Sequence, residues 1–380
     1  MTHTQPLRII TMIIPLAAML VSSCSQPPIS AGHDADIDPL FAAYDGDDMP
    51  GASVLVLSNG MPVFQKTYGS AVIEEHVKIT PQTNFRLASM TKQFTAMCIM
   101  MLKEEGRLSY GDRVTKFLPG IPSYCSTMTV KQLLTHTSGL PDYESLIPDT
   151  QTVQVKDADI PALLHKADST LFPPGTKYSY SNTGYALLAL IVEKISGAPF
   201  REFLERRIFA PLEMRTTIAF EDGINTVEER AYGYSRTPLS AASGGNADAR
   251  FVRDDQSVTS AVLGDGGIYS NVMDLAKWDA ALYSDRLVSR ASLEEAFADA
   301  ALSDGTTIDY GYGWHKETFL DIRHPYHDGS TRGFRNTILR FPSERLTVMI
   351  LTNRNEGDPR SIAKKIAAIF LKKSDAFDAR

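Results

Sequence analysis

Strand-forming sequence stands at the two ends of this chain and is scarce between them. Near the front, two apolar runs at 52–57 and 63–68 flank Asn59-Gly60, a dipeptide suited to the tight turn of a β-hairpin. Near the end, runs at 337–341 and 346–351 are joined by Pro342-Ser343-Glu344-Arg345, a turn sequence. Ile362, Ile366, Ile369 and Phe370 then recur at helical spacing and can cover one sheet face. From about residue 112 to 302 the pattern is one of helices, loops and short irregular pieces, with a loop expected over 235–257. Strands from both ends must therefore share one antiparallel sheet. The expected fold is α/β in the α+β sense: an antiparallel sheet flanked by helices, plus a mostly helical lobe. The sheet lobe is expected over about 38–110 and 305–380, and the helical lobe over about 111–304.

A second constraint sits where the first strands give way to an apolar helix. Phe85-Arg86-Leu87-Ala88-Ser89-Met90-Thr91-Lys92 places Ser89 and Lys92 three residues apart, on one face of a helical turn. A lysine in a partly dry pocket can lose its proton and then accept one from serine. A serine in the first turn also lies at the positive end of the helix dipole. The same spacing occurs again at Ser361 and Lys364, where the serine reads as a helix cap. Gly106 is placed to stop the first helix.

The chain has 380 residues, 38 of them basic and 45 acidic, for a net charge of -7. This size suffices for a proper core, and the mild acidity and lack of a basic run argue against nucleic acid as a partner. Residues 1–24 read as an address. Arg8 precedes a short apolar run, and Val21-Ser22-Ser23-Cys24 resembles a bacterial lipobox with Cys24 the lipidated residue. Residues 25–37 read as a tether, and Ser25 favours the outer membrane, facing the periplasm, or an extracellular position. Cys98 is expected as a buried thiol, and a bridge to Cys125 is left open.

Acyl transfer needs a proton carrier and donors for the oxyanion as well as a nucleophile. Tyr180-Ser181-Asn182 follows a Pro-Gly turn and precedes an apolar helix, so Tyr180 can shuttle a proton and Asn182 can orient substrate. Tyr269-Ser270-Asn271 repeats the pattern, but there Ser270 or Asn271 reads as a cap and the tyrosine as packing. His327-Asp328-Gly329-Ser330 precedes the last hairpin; the glycine lets ligand approach the strand, and the Ser330 N–H can face an oxyanion. His315, His324, His327 and Asp328 lie close in sequence, but Pro325 breaks the spacing a metal site would want, and no metal or cofactor is expected.

In that order, Ser89-x-x-Lys92, Tyr180-Ser181-Asn182 and His327-x-Gly329 resemble the class C beta-lactamase-like serine hydrolases, a group with penicillin-binding proteins, D-aminopeptidases and esterases among its members. Leu133-Leu134-Thr135-His136-Thr137-Ser138-Gly139-Leu140 and Tyr310-Gly311-Tyr312-Gly313-Trp314 add to the likeness. The resemblance implies a beta-lactamase/transpeptidase-like fold and an acylated Ser89 with Lys92 as its base partner. It also implies Tyr180 as general base and acid, Asn182, His327, Gly329 and Ser330 as substrate ligands, and the Ser89 and Ser330 N–H groups as the oxyanion hole. The expected substrate is a small molecule or peptide, cleaved at an amide or ester, and the expected state is a monomer. One departure matters: class C beta-lactamases carry lysine where this chain has His327, which at neutral pH grips a carboxylate less well. That favours a peptidase or esterase over an efficient beta-lactamase; the rival from another class is a non-catalytic binder of cell-wall peptides.

Overall fold

The computed structural model describes Met1, residues 32–237 and residues 250–374. The leader with Cys24, the first part of the tether and residues 238–249 of the expected loop lie outside the described residues. The described ends of that loop pair as a small hairpin, Tyr234–Arg236 with Phe251–Arg253. No helix among the described residues is long and apolar enough to cross a membrane.

The main sheet has six strands. The front of the chain supplies β1 (Ala52–Ser58) and β2 (Met61–Tyr68); the end supplies β3 (His315–Phe319), β4 (Ile322–Thr331), β5 (Phe334–Phe341) and β6 (Leu346–Thr352). They run in the order β3-β4-β5-β6-β1-β2, every neighbour antiparallel. The two chain ends thus meet at β1 and β6, with Val54 opposite Ile350 and Val56 opposite Val348. Successive residues of β1 enter two different cores. Val54 and Val56 pack with Ile37, Phe41, Phe341 and Ile366, whereas Leu55 and Leu57 pack with Phe94, Ile338 and Met349. Each such side chain contributes roughly 1.5–3 kcal/mol. With both faces apolar, alternation alone cannot hold the register of β1 on β2. The turn does so: Asn59 and Gly60 sit at φ 53° and 76°, the geometry of a tight primed hairpin.

Four longer helices matter to the site: α1 (Lys92–Glu104), α2 (Asn182–Ser196), α3 (Val272–Ala281) and α4 (Pro359–Ser374). Helix α1 is buried from Lys92 to Leu102, between the sheet and the helical region. Two of its buried polar residues are anchored across the core: Gln93 Oε1 accepts from the Trp278 indole at 2.9 Å, and Thr95 Oγ1 donates to Gly264 O at 2.6 Å. Gly106, at φ 69°, follows its last turn. Asn271 caps α3 by accepting from Met273 and Asp274, as the sequence suggested for that region. Ser361 is not a cap. Helix α4 begins at Pro359, and the Asp358 carboxylate takes the Ser361 N–H at 3.0 Å, because a carboxylate three residues earlier is the better acceptor at a helix start. Cys98 and Cys125 are both buried and free.

Candidate active site

Ser89 is positioned from its own backbone outward. Phe85–Arg86 pairs with Ile268–Ser270, the Leu87 N–H donates to Ile268 O at 2.8 Å, and Asn336 Nδ2 donates to Arg86 O at 2.8 Å. The chain then turns at Ala88, whose φ of 50° is unusual for a residue with a side chain. Such a conformation costs about 1–3 kcal/mol and persists only where neighbours enforce it. Ser89 follows in the short 3-10 turn Ala88–Thr91, not in the α-helix proper, which starts at Lys92. One enforcing neighbour is β4. Strand β3 pairs only as far as Tyr326, so residues 327–331 of β4 form a free edge that presses on this segment. A Cβ on Gly329 would stand 2.0 Å from Leu87 O. The glycine therefore admits the protein's own backbone, rather than ligand, to the strand.

Lys92 is buried and donates three hydrogen bonds, its full capacity: to Ser89 Oγ at 3.2 Å, Asn182 Oδ1 at 2.8 Å and Asp265 O at 3.0 Å. Burial pulls its ammonium down to about 8, against the carboxylates of Asp265, Asp142 and Glu144, which hold it up. Asn182 is fixed from its other side, where Nδ2 donates to Glu144 Oε1 at 3.2 Å. It opens α2, and Ser181 beside it caps that helix through the Gly184 N–H.

Tyr180 closes the group. Its ring centroid lies 4.9 Å from Lys92 Nζ. Its hydroxyl is buried with no hydrogen-bond partner, yet the neighbouring Ser89 hydroxyl is close enough to favour its ionised form. Burial is the larger influence and pushes the phenol far above its usual range. The competing tyrosine of the repeated pattern, Tyr269, is buried away from this group, its hydroxyl taken by Arg230 and Gln256.

His327 is brought near, but not to the pocket wall. It is buried beneath Lys92, with Nδ1 on Asp328 O at 2.6 Å and Nε2 facing Tyr310 Oη at 3.4 Å. Burial, then His315 and Lys92, depress its basicity well below the usual value, as burial also does for His136. His327 is thus buried and outside the pocket lining, and at neutral pH it offers a substrate carboxylate no positive charge. His136 and Tyr310 complete an aromatic floor, with His136 4.3 Å from the Tyr180 ring and 4.6 Å from Tyr310. His324 lies on the opposite face of β4, its ring tilted against Phe341 with centroids 4.2 Å apart.

Ser89 opens into a small pocket also lined by Asn182, Ser330, Arg86, Glu144 and Asp265 among others. Sequence reasoning gave no role to Arg86, Glu144 or Asp265. Glu144 sits in the short turn Tyr143–Leu146 and Asp265 in Leu263–Gly266, pieces too short to show periodicity. Asp265, buried and bonded by Tyr143 Oη at 3.0 Å, is raised to about 6 by burial despite the Lys92 charge.

The antiparallel sheet flanked by helices is shared with solved penicillin-binding protein structures. The family described as Beta-lactamase matches residues 37–371, and the chain belongs to it. It is 34% identical over 316 residues to a penicillin-binding protein of Bacillus subtilis, covering 80% of this chain and 68% of that protein. It is 29% identical over 341 residues to a D-aminopeptidase of Cereibacter sphaeroides, covering 88% of this chain and 62% of the relative. The octameric penicillin-binding protein homologue from Pyrococcus abyssi superposes with a TM-score of 0.73 at 29% identity, over 85% of this chain and 74% of that one. The chain thus spans between about three fifths and two thirds of the length of these curated relatives.

Proposed function

We propose that this protein is a serine hydrolase that forms an acyl enzyme at Ser89 from a peptide amide or carboxylic ester, with cell-wall peptides as the natural class. The observation that carries the reading is Lys92 Nζ, buried and 3.2 Å from Ser89 Oγ, under an unpartnered Tyr180 hydroxyl. The D-aminopeptidase relative acts on an amide as its name says, which supports the same class here.

Burial treats the two proton carriers oppositely: it favours neutral Lys92 and neutral Tyr180. We therefore assign the base to Lys92 and the acid to Tyr180, a narrower role than the general base and acid expected of the tyrosine. Ser89 Oγ bonds to the substrate carbonyl carbon while its proton passes to Lys92 Nζ. The N–H groups of Ser89 and Ser330, both residues of the pocket wall, take the oxyanion. On collapse the C–N or C–O bond breaks, the leaving group takes the Tyr180 proton, and Lys92 returns one to Tyr180. Water then attacks the ester carbon of acyl-Ser89, its proton leaving by the reverse route, and releases the carboxylic acid and free Ser89. Base catalysis of this kind contributes typically 10²–10⁴-fold.

His327, covered and uncharged, favours peptidase or esterase activity over an efficient beta-lactamase. Fluorophosphonate labelling tests the proposal: label on the intact protein and none on Ser89→Ala supports it. Folded protein that takes no label and hydrolyses no nitrophenyl ester would instead be a peptide-binding module. We also propose a lipid anchor at Cys24 and a place in the cell envelope, tested by palmitate incorporation that Cys24→Ala abolishes. A monomeric state is checked by light scattering.

A further inference from the structure

We propose that Arg86 is the specificity determinant for an anionic group on the substrate, the part that the third motif leaves unfilled. The proposal rests on the acyl-transfer reading of Ser89 and deepens it.

Three arginines are buried among the described residues: Arg86 at 4% exposure, Arg340 at 1% and Arg354 at 5%. Arg340 has the Asp279 carboxylate at 2.6 Å, and Arg354 has Glu356. Arg86 has none within ion-pair distance among the described residues. Its bonds go to neutral oxygens only: Nε to Gly266 O at 3.2 Å, Nη2 to Ser260 O at 3.0 Å and Nη1 to Gln256 Oε1 at 3.5 Å. Those use three of the five guanidinium N–H donors, and Nη1 is held by the longest contact. Asp265, a carboxylate of the same pocket wall that feels its charge, is bonded by Tyr143 and influenced more strongly by Lys92.

A buried guanidinium without a counterion is costly to keep. This one lines the pocket that Ser89 opens into, three residues before the nucleophile on the strand that aims it. A substrate carboxylate entering there supplies the missing counterion through a planar, two-pronged contact. His327 cannot do so, being covered and neutral. Arg332, farther along the same segment, is already beside Asp254 at 3.5 Å. The fitting substrate is a peptide whose leaving residue carries a free carboxylate.

The experiment compares one N-acylated dipeptide with a free C-terminal carboxylate against its C-terminal carboxamide. The intact protein should prefer the acid by at least about tenfold in kcat/KM, since a site built for a charged group rejects the analogue lacking it. In Arg86→Gln the ratio should fall to near one, and Arg86→Lys should restore part of it. A merely structural arginine would lower both rates together and leave the ratio untouched, which would overturn the proposal. So would an intact protein indifferent to the carboxylate, a result that needs no variant to fold. Fluorophosphonate labelling of Ser89, run on the same samples, shows separately whether the acyl-transfer reading holds.

Discussion

If Lys92 is the base, its ionisation must appear in the rate. With the amine near 8, about 1% of the protein carries neutral Lys92 at pH 6 and about half does at pH 8. The value of kcat/KM for a neutral nitrophenyl ester should therefore rise about 50-fold between those pH values and level off above about pH 9. The ester has no titrating group of its own, so the limb belongs to the protein. Asp265 supplies a second perturbation with a definite sign. Its charge is the largest influence holding Lys92 up against burial, so Asp265→Asn should move the midpoint to lower pH. Lys92→Arg keeps a permanent charge and should lose about 10²–10⁴-fold at every pH. Initial rates from pH 5.5 to 10, corrected for spontaneous hydrolysis, measure all three. A flat profile in the intact protein, or an Asp265→Asn limb displaced upward, would show that another group takes the serine proton.

Three further outcomes follow from the same packing. Gly329→Ala places a methyl 2.0 Å from Leu87 O, so the edge of β4 must retreat; about 1–3 kcal/mol of stability and the labelling of Ser89 should be lost together. Native melting and native labelling in that variant would contradict the close approach. Asp279→Ala strands the buried Arg340 and removes the acceptor of Thr347, and urea titration should show a loss of about 3–5 kcal/mol; a loss below about 1 would mean the pair is relaxed elsewhere. Finally, His136, His315 and His327 have folded values depressed by burial, to about 4 for His315. The unfolded chain binds protons from pH 6.5 downward while the folded one does not, so stability should be full above that pH and fall as pH drops toward 4. His315 alone accounts for about 3 kcal/mol of this loss. A His315→Gln variant as acid-sensitive as the intact protein would assign the effect elsewhere.

Local chemistry was readable in the amino-acid order. Asn59-Gly60 needs only its own backbone to make a hairpin, Gly106 only its own φ to end α1, and Asn271 only the next two N–H groups to cap α3. The pairing of Ser89 with Lys92 follows from one helical turn. The repeated Ser361 pattern misled because Asp358, a stronger acceptor one turn earlier, had already taken the cap.

What no stretch of sequence could settle is the surroundings those residues meet. Whether Lys92 can be neutral depends on its burial against Asn182 and Asp265, which lie 90 and 173 positions away. Gly329 was read as an opening for ligand and proves to be an opening for Leu87, because only the folded sheet decides what stands at a strand edge. His327 kept its place in the order of motifs but was turned under the pocket among Tyr310 and His315. Bond-scale geometry is set by neighbours in the chain. Proton affinity and accessibility are set by whatever packing brings within a few ångströms, and that is a property of the whole fold.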